Sequence, residues 1–288
     1  MSKFTRLLCV AVAFIVSPPA FADSTLAVMA NKGELAALKK WTALAQYLSA
    51  ATGETVTLVP LPGGQVMPSV AAGKYDYYLV NPTQSVIGSE LHGNHLMATL
   101  RKKTGTEFAG LIITTADTGI TTAADLKGKH VLALKVGSAA GAWMFQSYHL
   151  LEHGVDPYMD ITVEEVKTQP DLVLTVQAGF ADAGYVRTGM LEGMAKKGDI
   201  SMDDFVIVDR VDDADLGLPR TTARYPEWYF ASNKSTDAAK AAAVKAALMA
   251  LEPSDAAAQA AKIEGFAEPV DPAKLLAAMK ALKVGPFK

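Results

Sequence analysis

Strand and helix signals alternate along almost the whole chain, and that alternation limits the fold to an α/β class more tightly than any single motif does. Residues 25–30 read as a strand. A helical stretch over 33–51 follows, with Leu38, Trp41, Leu44, Ala45 and Leu48 recurring at three- and four-residue spacing, and Gly53 ends it. A β-branched strand over 55–59, a short helix over 65–72 and a strand over 77–80 come next, and Asn81-Pro82 opens another helix because proline suits a first helical turn. Residues 96–101 and 108–114 read as paired strands. The rhythm restarts at 121–126, with strands over 130–136, 160–166, 181–185 and 205–208 and helices over 138–153, 171–178 and 188–197. A turn-rich stretch over 209–226 leads to a short strand over 228–232. Alanine-rich helices over 236–251 and 254–263, and a last one over 272–282, are expected to pack outside the first lobe.

The N-terminus carries a secretory pattern. Lys3 and Arg6 precede an apolar run over 7–16 and a small-residue cleavage signature, Ala20-Phe21-Ala22, so residues 1–22 read as a signal peptide and the mature chain begins near Asp23. No later segment stays apolar for the ~20 residues of a membrane-spanning helix, which predicts a periplasmic protein. Cys9 lies in the middle of the apolar run instead of beside the cleavage point, which argues against a lipid anchor; it is the chain's only cysteine, so disulfides and thiolate chemistry are not expected.

Half of the residues are hydrophobic, and a mature chain of roughly 265 residues is at the size where one core divides into two. Two lobes are expected, one from 23–116 with 226–288 and the other from 117–225, with the first crossing near 115–119. Loss of Lys3 and Arg6 takes the basic count from 27 to 25 against 30 acidic residues, a net charge near −5, with no long basic run. That excludes nucleic acid as the expected partner.

Parallel sheets place ligands at the carboxyl ends of their strands, where the following helices point amides and positive dipole ends inward. Three such junctions carry suitable groups. Asn81, Thr83 and Gln84 follow the third strand; Gly137, Ser138, Ala139, Ala140 and Gly141 follow the strand ending at Val136; Tyr185, Arg187 and Thr188 precede the helix with Met190 and Leu191. Ser138 offers a hydroxyl or serves only as an N-cap. Arg187 can bind an oxyanion bidentately or pair with Glu192. Arg101, at a strand end, has an equal alternative in an ion pair with Glu107.

The blocks Asp76-Tyr77-Tyr78-Leu79-Val80-Asn81-Pro82, Met97-Ala98-Thr99-Leu100-Arg101, Asp125-Leu126-Lys127-Gly128-Lys129, Ala181-Asp182-Ala183-Gly184-Tyr185-Val186-Arg187-Thr188 and Tyr225-Pro226-Glu227-Trp228 stand in one order along the mature chain. Together they resemble the phosphate/phosphite/phosphonate-binding family of ABC-transporter solute-binding proteins, most closely a subgroup also found as the periplasmic sensor module of tetrathionate-type histidine kinases. The resemblance implies a type II periplasmic binding protein, two α/β lobes joined by two hinge crossovers. It also implies a small anionic solute as ligand and an ABC permease or membrane sensor kinase as partner, with the protein working as a monomer and without a cofactor. By that resemblance Arg187 carries the ligand's charge, with Ser138 and the amides of Ala139 and Ala140 opposite Thr83 and Gln84, and Tyr185, Tyr225 and Trp228 walling the cleft. Where phosphonate binders of the family read Ser-Thr/Ser-Ser-Gly this chain has Gly137-Ser138-Ala139-Ala140-Gly141, and Gln169-Pro170 stands near the position of a site histidine.

No nucleophile elbow, phosphate loop, dinucleotide fingerprint or His-Glu-x-x-His is present, so an enzyme is not the expectation. His149 and His153 share one helical face at i,i+4. They suit either a metal ion or the negative end of the helix dipole, and with no third ligand visible no metal site is assigned. Glu227 reads equally as a hinge brace or a ligand acceptor.

Overall fold

The computed structural model describes residues 23–287, so the signal peptide expected over 1–22, with Cys9, lies outside the described residues. The first sheet is built from β1 (Ser24–Met29), β2 (Val56–Leu61), β3 (Tyr77–Val80) and β4 (His95–Arg101), connected by α1 (Glu34–Thr52), α2 (Gly63–Ala71) and α3 (Pro82–His92). All four strands of this set run the same way, with β3 buried at every position, as expected of a parallel sheet covered on both faces. The local signals act as read: Gly53 ends α1 in a left-handed conformation at φ 73°, and Asn81 caps α3 by accepting the Gln84 amide at 2.9 Å with Pro82 in the first turn.

After β4 the chain crosses over. Strand β5 (Glu107–Phe108) precedes β6 (Gly110–Thr114), β7 (His130–Ala133), α4 (Met144–Glu152), β8 (Thr162–Glu165), α5 (Gln169–Gln177), β9 (Ala183–Arg187), α6 (Met190–Ala195) and β10 (Val206–Ile207). The second sheet has the order β10-β6-β9-β7-β8. A hairpin of β11 (Val211–Asp213) and β12 (Leu218–Arg220) fills the turn-rich stretch, and β13 (Tyr225–Pro226) then pairs antiparallel with β5, Tyr225 opposite Phe108. This two-stranded ribbon holds the two crossings side by side. Strand β14 (Tyr229–Ser232) enters the first sheet between β3 and β4, and α7 (Ala238–Ala250), α8 (Ala256–Ala261), β15 (Gly265–Ala267) and α9 (Ala273–Ala281) complete the chain, giving the order β15-β4-β14-β3-β1-β2.

Three expectations need correction. Segments 96–101 and 108–114 do not pair: β4 bonds β14 and β15, while β6 bonds β9 and β10 in the other sheet, so the chain has already crossed before residue 110 and not near 115–119. The helix expected over 138–153 starts only at Met144, because 134–142 closes on itself with the Leu134 amide donating to the Ala142 carbonyl at 3.0 Å and Trp143 leaves helical geometry at φ −164°, ψ −59°. The last helix does not pack outside the first lobe. Leu275, Ala278 and Met279 of α9 are fully buried in a core shared with Val86 of α3, Trp143 and Met144 beside α4, and Tyr225 and Tyr229 of the return crossing. Tyr158 seals it by donating its hydroxyl to the Leu282 carbonyl at 2.7 Å.

The other cores flank single sheets. Trp41, Leu44 and Leu48 of α1 meet Phe230 and Leu248 on one face of the first sheet, and Val66 and Val70 meet Tyr78 on its other face. Leu172, Val173 and Leu191 cover the second sheet. Among the described residues no helix is long and apolar enough to cross a membrane.

Gly141 is fixed by packing: a Cβ there would lie 2.5 Å from Phe108 Cε2 and 3.4 Å from Arg187 Cβ. Phe108 cannot withdraw, because its ring packs on Phe145 at 5.0 Å on the hinge ribbon. Gly141→Ala is therefore expected to destabilise by about 1–3 kcal/mol, as overpacking does, seen as a lower urea midpoint at unchanged m-value. A midpoint equal to the native one refutes this account of Gly141.

Candidate functional site

A cleft of about 530 Å³ opens between the lobes at the carboxyl ends of β1, β4 and β9. From the first lobe it takes the turn after β1, the first half of α1, Leu100 and Lys102 near the end of β4, Trp228, and the end of α8; from the second it takes Gln169, Arg187 and Met190. Its ionisable walls are Lys32, Lys39, Lys40, Lys102, Arg187 and Lys262 against a single carboxylate, Glu227. Six cations to one anion, in a chain of net charge −3, make the cleft a local positive well.

Glu227 has no solvent access, and its Oε1 accepts both Lys102 Nζ and Arg187 Nη2 at 2.8 Å. Burial alone pushes its carboxyl upward, but Arg187 and Lys102 outweigh that and hold it down to about 2, so it is ionised. Its Oε2 is buried without a protein partner. Lys102 projects from a tight turn closed by reciprocal Lys102 and Gly105 backbone bonds of 2.9 Å, where Gly105 takes φ 93°, a value few other residues adopt. Arg187 is fixed three ways: its guanidinium lies 4.5 Å over the Phe108 ring, its amide donates to Gln169 Oε1 at 3.0 Å, and Glu227 holds its tip. Lys40, on the second turn of α1, is held down to about 8, first by burial and then by Lys102, with Glu227 opposing and Arg187 and Lys32 adding. Lys262, at the end of α8, sits in a left-handed conformation at φ 55°, strained backbone of the kind that gathers at ligand sites.

Of the residues singled out by sequence, Arg187 and Trp228 line this cleft, as does Gln169. The others are placed elsewhere. Arg101 is exposed and donates to the Glu264 carbonyl at 2.8 Å, while Glu107 meets Arg224 at 3.9 Å, so neither expected pairing forms. Arg187 likewise takes Glu227 and not Glu192. Tyr185 and Tyr225 are core residues, Tyr225 stacked on Phe145 at 4.1 Å, and burial pushes both phenols upward. Thr188 is a hinge brace whose Oγ1 accepts the Ala109 amide at 3.2 Å. The Ser138 and Ala139 amides are spent on the Lys135 carbonyl, and Ala140 is buried. Asn81 spans the lobes, its Nδ2 donating to the Ser138 carbonyl at 3.3 Å. Thr83 and Gln84 are buried, and their Oγ1 and Oε1 atoms have no protein partner. Sequence reasoning passed over Lys40 and Lys102, and only their position at strand and helix ends marks them.

Two α/β lobes, two crossings bound into one ribbon and a cleft at the strand ends define a type II periplasmic binding protein. A family model described as "ABC transporter, phosphonate, periplasmic substrate-binding protein" matches residues 26–274, and the chain belongs to that family. It is similar to the tetrathionate sensor histidine kinase TtrS of Salmonella typhimurium, 30% identical over 231 residues that cover 77% of this chain; the chain spans only 38% of that relative's length. Solved structures share the fold. XAC2383 from Xanthomonas citri bound to ATP superposes with a TM-score of 0.75 at 15% identity, and PhnD1 from Prochlorococcus marinus in complex with methylphosphonate with 0.72 at 10%. Each match covers 91% of this chain and 98% of the other.

The charge network makes a test that needs no ligand. Lys102→Met removes a cation beside Lys40 and raises the Lys40 pKa above about 8, whereas Glu227→Gln removes the opposing anion and lowers it. Carbon-13 NMR titration of labelled lysines reads both shifts. Movement of Lys40 in the same direction in both variants overturns the network.

Proposed function

We propose that this protein binds a small oxyanion between its lobes, closes over it, and delivers it to an ABC permease of the inner membrane. The observation that carries this reading is the convergence of Lys40, Lys102 and Arg187 on one inter-lobe cleft with a single carboxylate. Tetrahedral oxyanions offer the acceptors that a guanidinium and two ammonium groups satisfy. The cleft has more room than one such ion fills, as suits an open form whose half-sites approach on binding. Phosphonate, phosphite, phosphate and sulfur oxyanions are the solutes proposed, with the protein acting in the periplasm as a monomeric binder and not as an enzyme. Family and fold, which are those of substrate-binding proteins, support that choice.

A second reading is favoured by the similarity to a sensor kinase. In it, closure over the solute is read by a membrane histidine kinase instead of a permease. Adjacent permease and ATPase genes favour transport; an adjacent histidine kinase favours sensing.

A thermal-shift panel of methylphosphonate, phosphate, phosphite, tetrathionate, sulfonates, carboxylates and neutral sugars tests the site, because a ligand of the native state must raise Tm. One oxyanion is expected to raise it. Lys40→Gln and Arg187→Lys are each expected to weaken that oxyanion at least tenfold, about 1.4 kcal/mol. With Lys40 near 8 in the free protein, affinity is full below that pH and declines as Lys40 deprotonates above it, a decline absent from Lys40→Gln. A shift with neutral sugars alone, or affinity unchanged in both variants, removes these residues from the site.

A further inference from the structure

The two histidines that share a face of α4 acquire a third partner in the fold. One donor atom from each of His149, His153 and Asp209 lies within 4.8 Å of the others. The chain separates Asp209 from His149 by 60 residues, and the return after β10 brings it back to the last turn of α4, with His149 Nε2 and Asp209 Oδ2 2.8 Å apart. Asp209 is held there in a left-handed conformation at φ 47°. Its amide donates to the Thr121 carbonyl at 3.0 Å, and its Oδ2 also accepts the Ala123 amide at 3.0 Å. His153 Nδ1 lies 2.7 Å from the His149 carbonyl, an arrangement that fixes the Nδ1 proton and leaves Nε2 as the available ligand. The imidazole rings lie 4.1 Å apart.

We infer that His149, His153 and Asp209 form a binding site for a borderline divalent cation of the zinc type, on the second lobe and separate from the anion cleft. Two imidazoles and one carboxylate suit zinc, nickel or copper; calcium and magnesium demand oxygen ligands. Around zinc, bonds of about 2.1 Å place tetrahedral ligands about 3.4 Å apart. Replacing the shared His149–Asp209 proton by the ion therefore needs those atoms to separate by only about half an ångström. His149 is buried and Asp209 is pinned, so the adjustment falls on exposed His153, with water completing the shell. The bound ion would tie the end of α4 to the segment after β10 and, through Asp209, to residues 121–123. None of these groups lines the anion cleft, so the site stands or falls independently of the oxyanion reading.

Zinc titration by calorimetry, in chelator-free and phosphate-free buffer, tests it on the whole purified protein. One zinc per chain is expected, together with a rise in Tm under saturating zinc. His153→Ala and Asp209→Asn are each expected to weaken binding at least tenfold, and His130→Ala, on an exposed strand of the same lobe, to leave it unchanged. His153 is exposed at a helix end, so that variant keeps its fold and decides the case if Asp209→Asn does not. No zinc binding, or equal affinity in His153→Ala, overturns the site.

Discussion

Glu227 is a carboxylate without access to water, held by two cations that reach it from opposite sides of the molecule. Lys102 arrives from the first crossing at the end of β4, Arg187 from the end of β9 in the second lobe, and Glu227 itself from the return crossing between β13 and β14. Moving a charge out of water is costly, and this one remains ionised only because both partners are present. The triad thus makes the arrangement of crossings and lobes an electrostatic requirement as well as a packing one. It also fixes the two cations before any ligand arrives. Glu227 occupies only part of their hydrogen-bonding capacity, since a guanidinium has five N–H donors and an ammonium three, and the remainder face the cleft.

Charge elsewhere in the molecule does not set the cleft's character. The chain is acidic overall, yet the walls between its lobes are cationic. The crowding of like charges is visible in Lys40, whose proton is loosened by burial and by its cationic neighbours. Such crowding has a cost in the empty protein, and an anion relieves it. That difference between empty and filled states is what drives a population toward closure.

Much of the architecture was legible because its signals are local. Gly53, the Asn81-Pro82 cap and the period of Leu38, Trp41, Leu44 and Leu48 each report a conformation within a few residues, and the elements they predict are there. Adjacent strands usually pair, which is why residues 96–101 and 108–114 read as partners. The crossing hidden in 102–109 overrides that rule, and nothing in its composition announces it. Arg187 and Trp228 were visible as cleft residues because they sit beside recognisable junctions. Lys40 and Lys102 were not, because a lysine on a helix or after a strand resembles any solvated surface charge. Tyr185, Tyr225 and Thr188 show the converse: residues near a junction whose side chains turn into the core or the hinge. Asp209 was out of reach since its proximity to His149 is created entirely by tertiary structure.

The shared core constrains how the lobes can move. Because α9 packs against both α3 and α4, and its Leu275, Ala278 and Met279 are fully buried there, the lobes cannot separate as independent bodies without exposing a continuous apolar cluster. No residue of α9 lines the cleft. The core therefore lies on the fulcrum side, with the β5–β13 ribbon and the Asn81–Ser138 bond beside it, while the lysine-lined walls lie where relative rotation has most effect. A hinge of this kind favours rotation over translation: packing at the fulcrum is conserved through the motion, and the change in contact is concentrated on the cations. An anion bound by both Arg187 and the first-lobe lysines then acts with leverage on the lobe angle, because the contacts it gains on closure are the ones the fulcrum does not already provide.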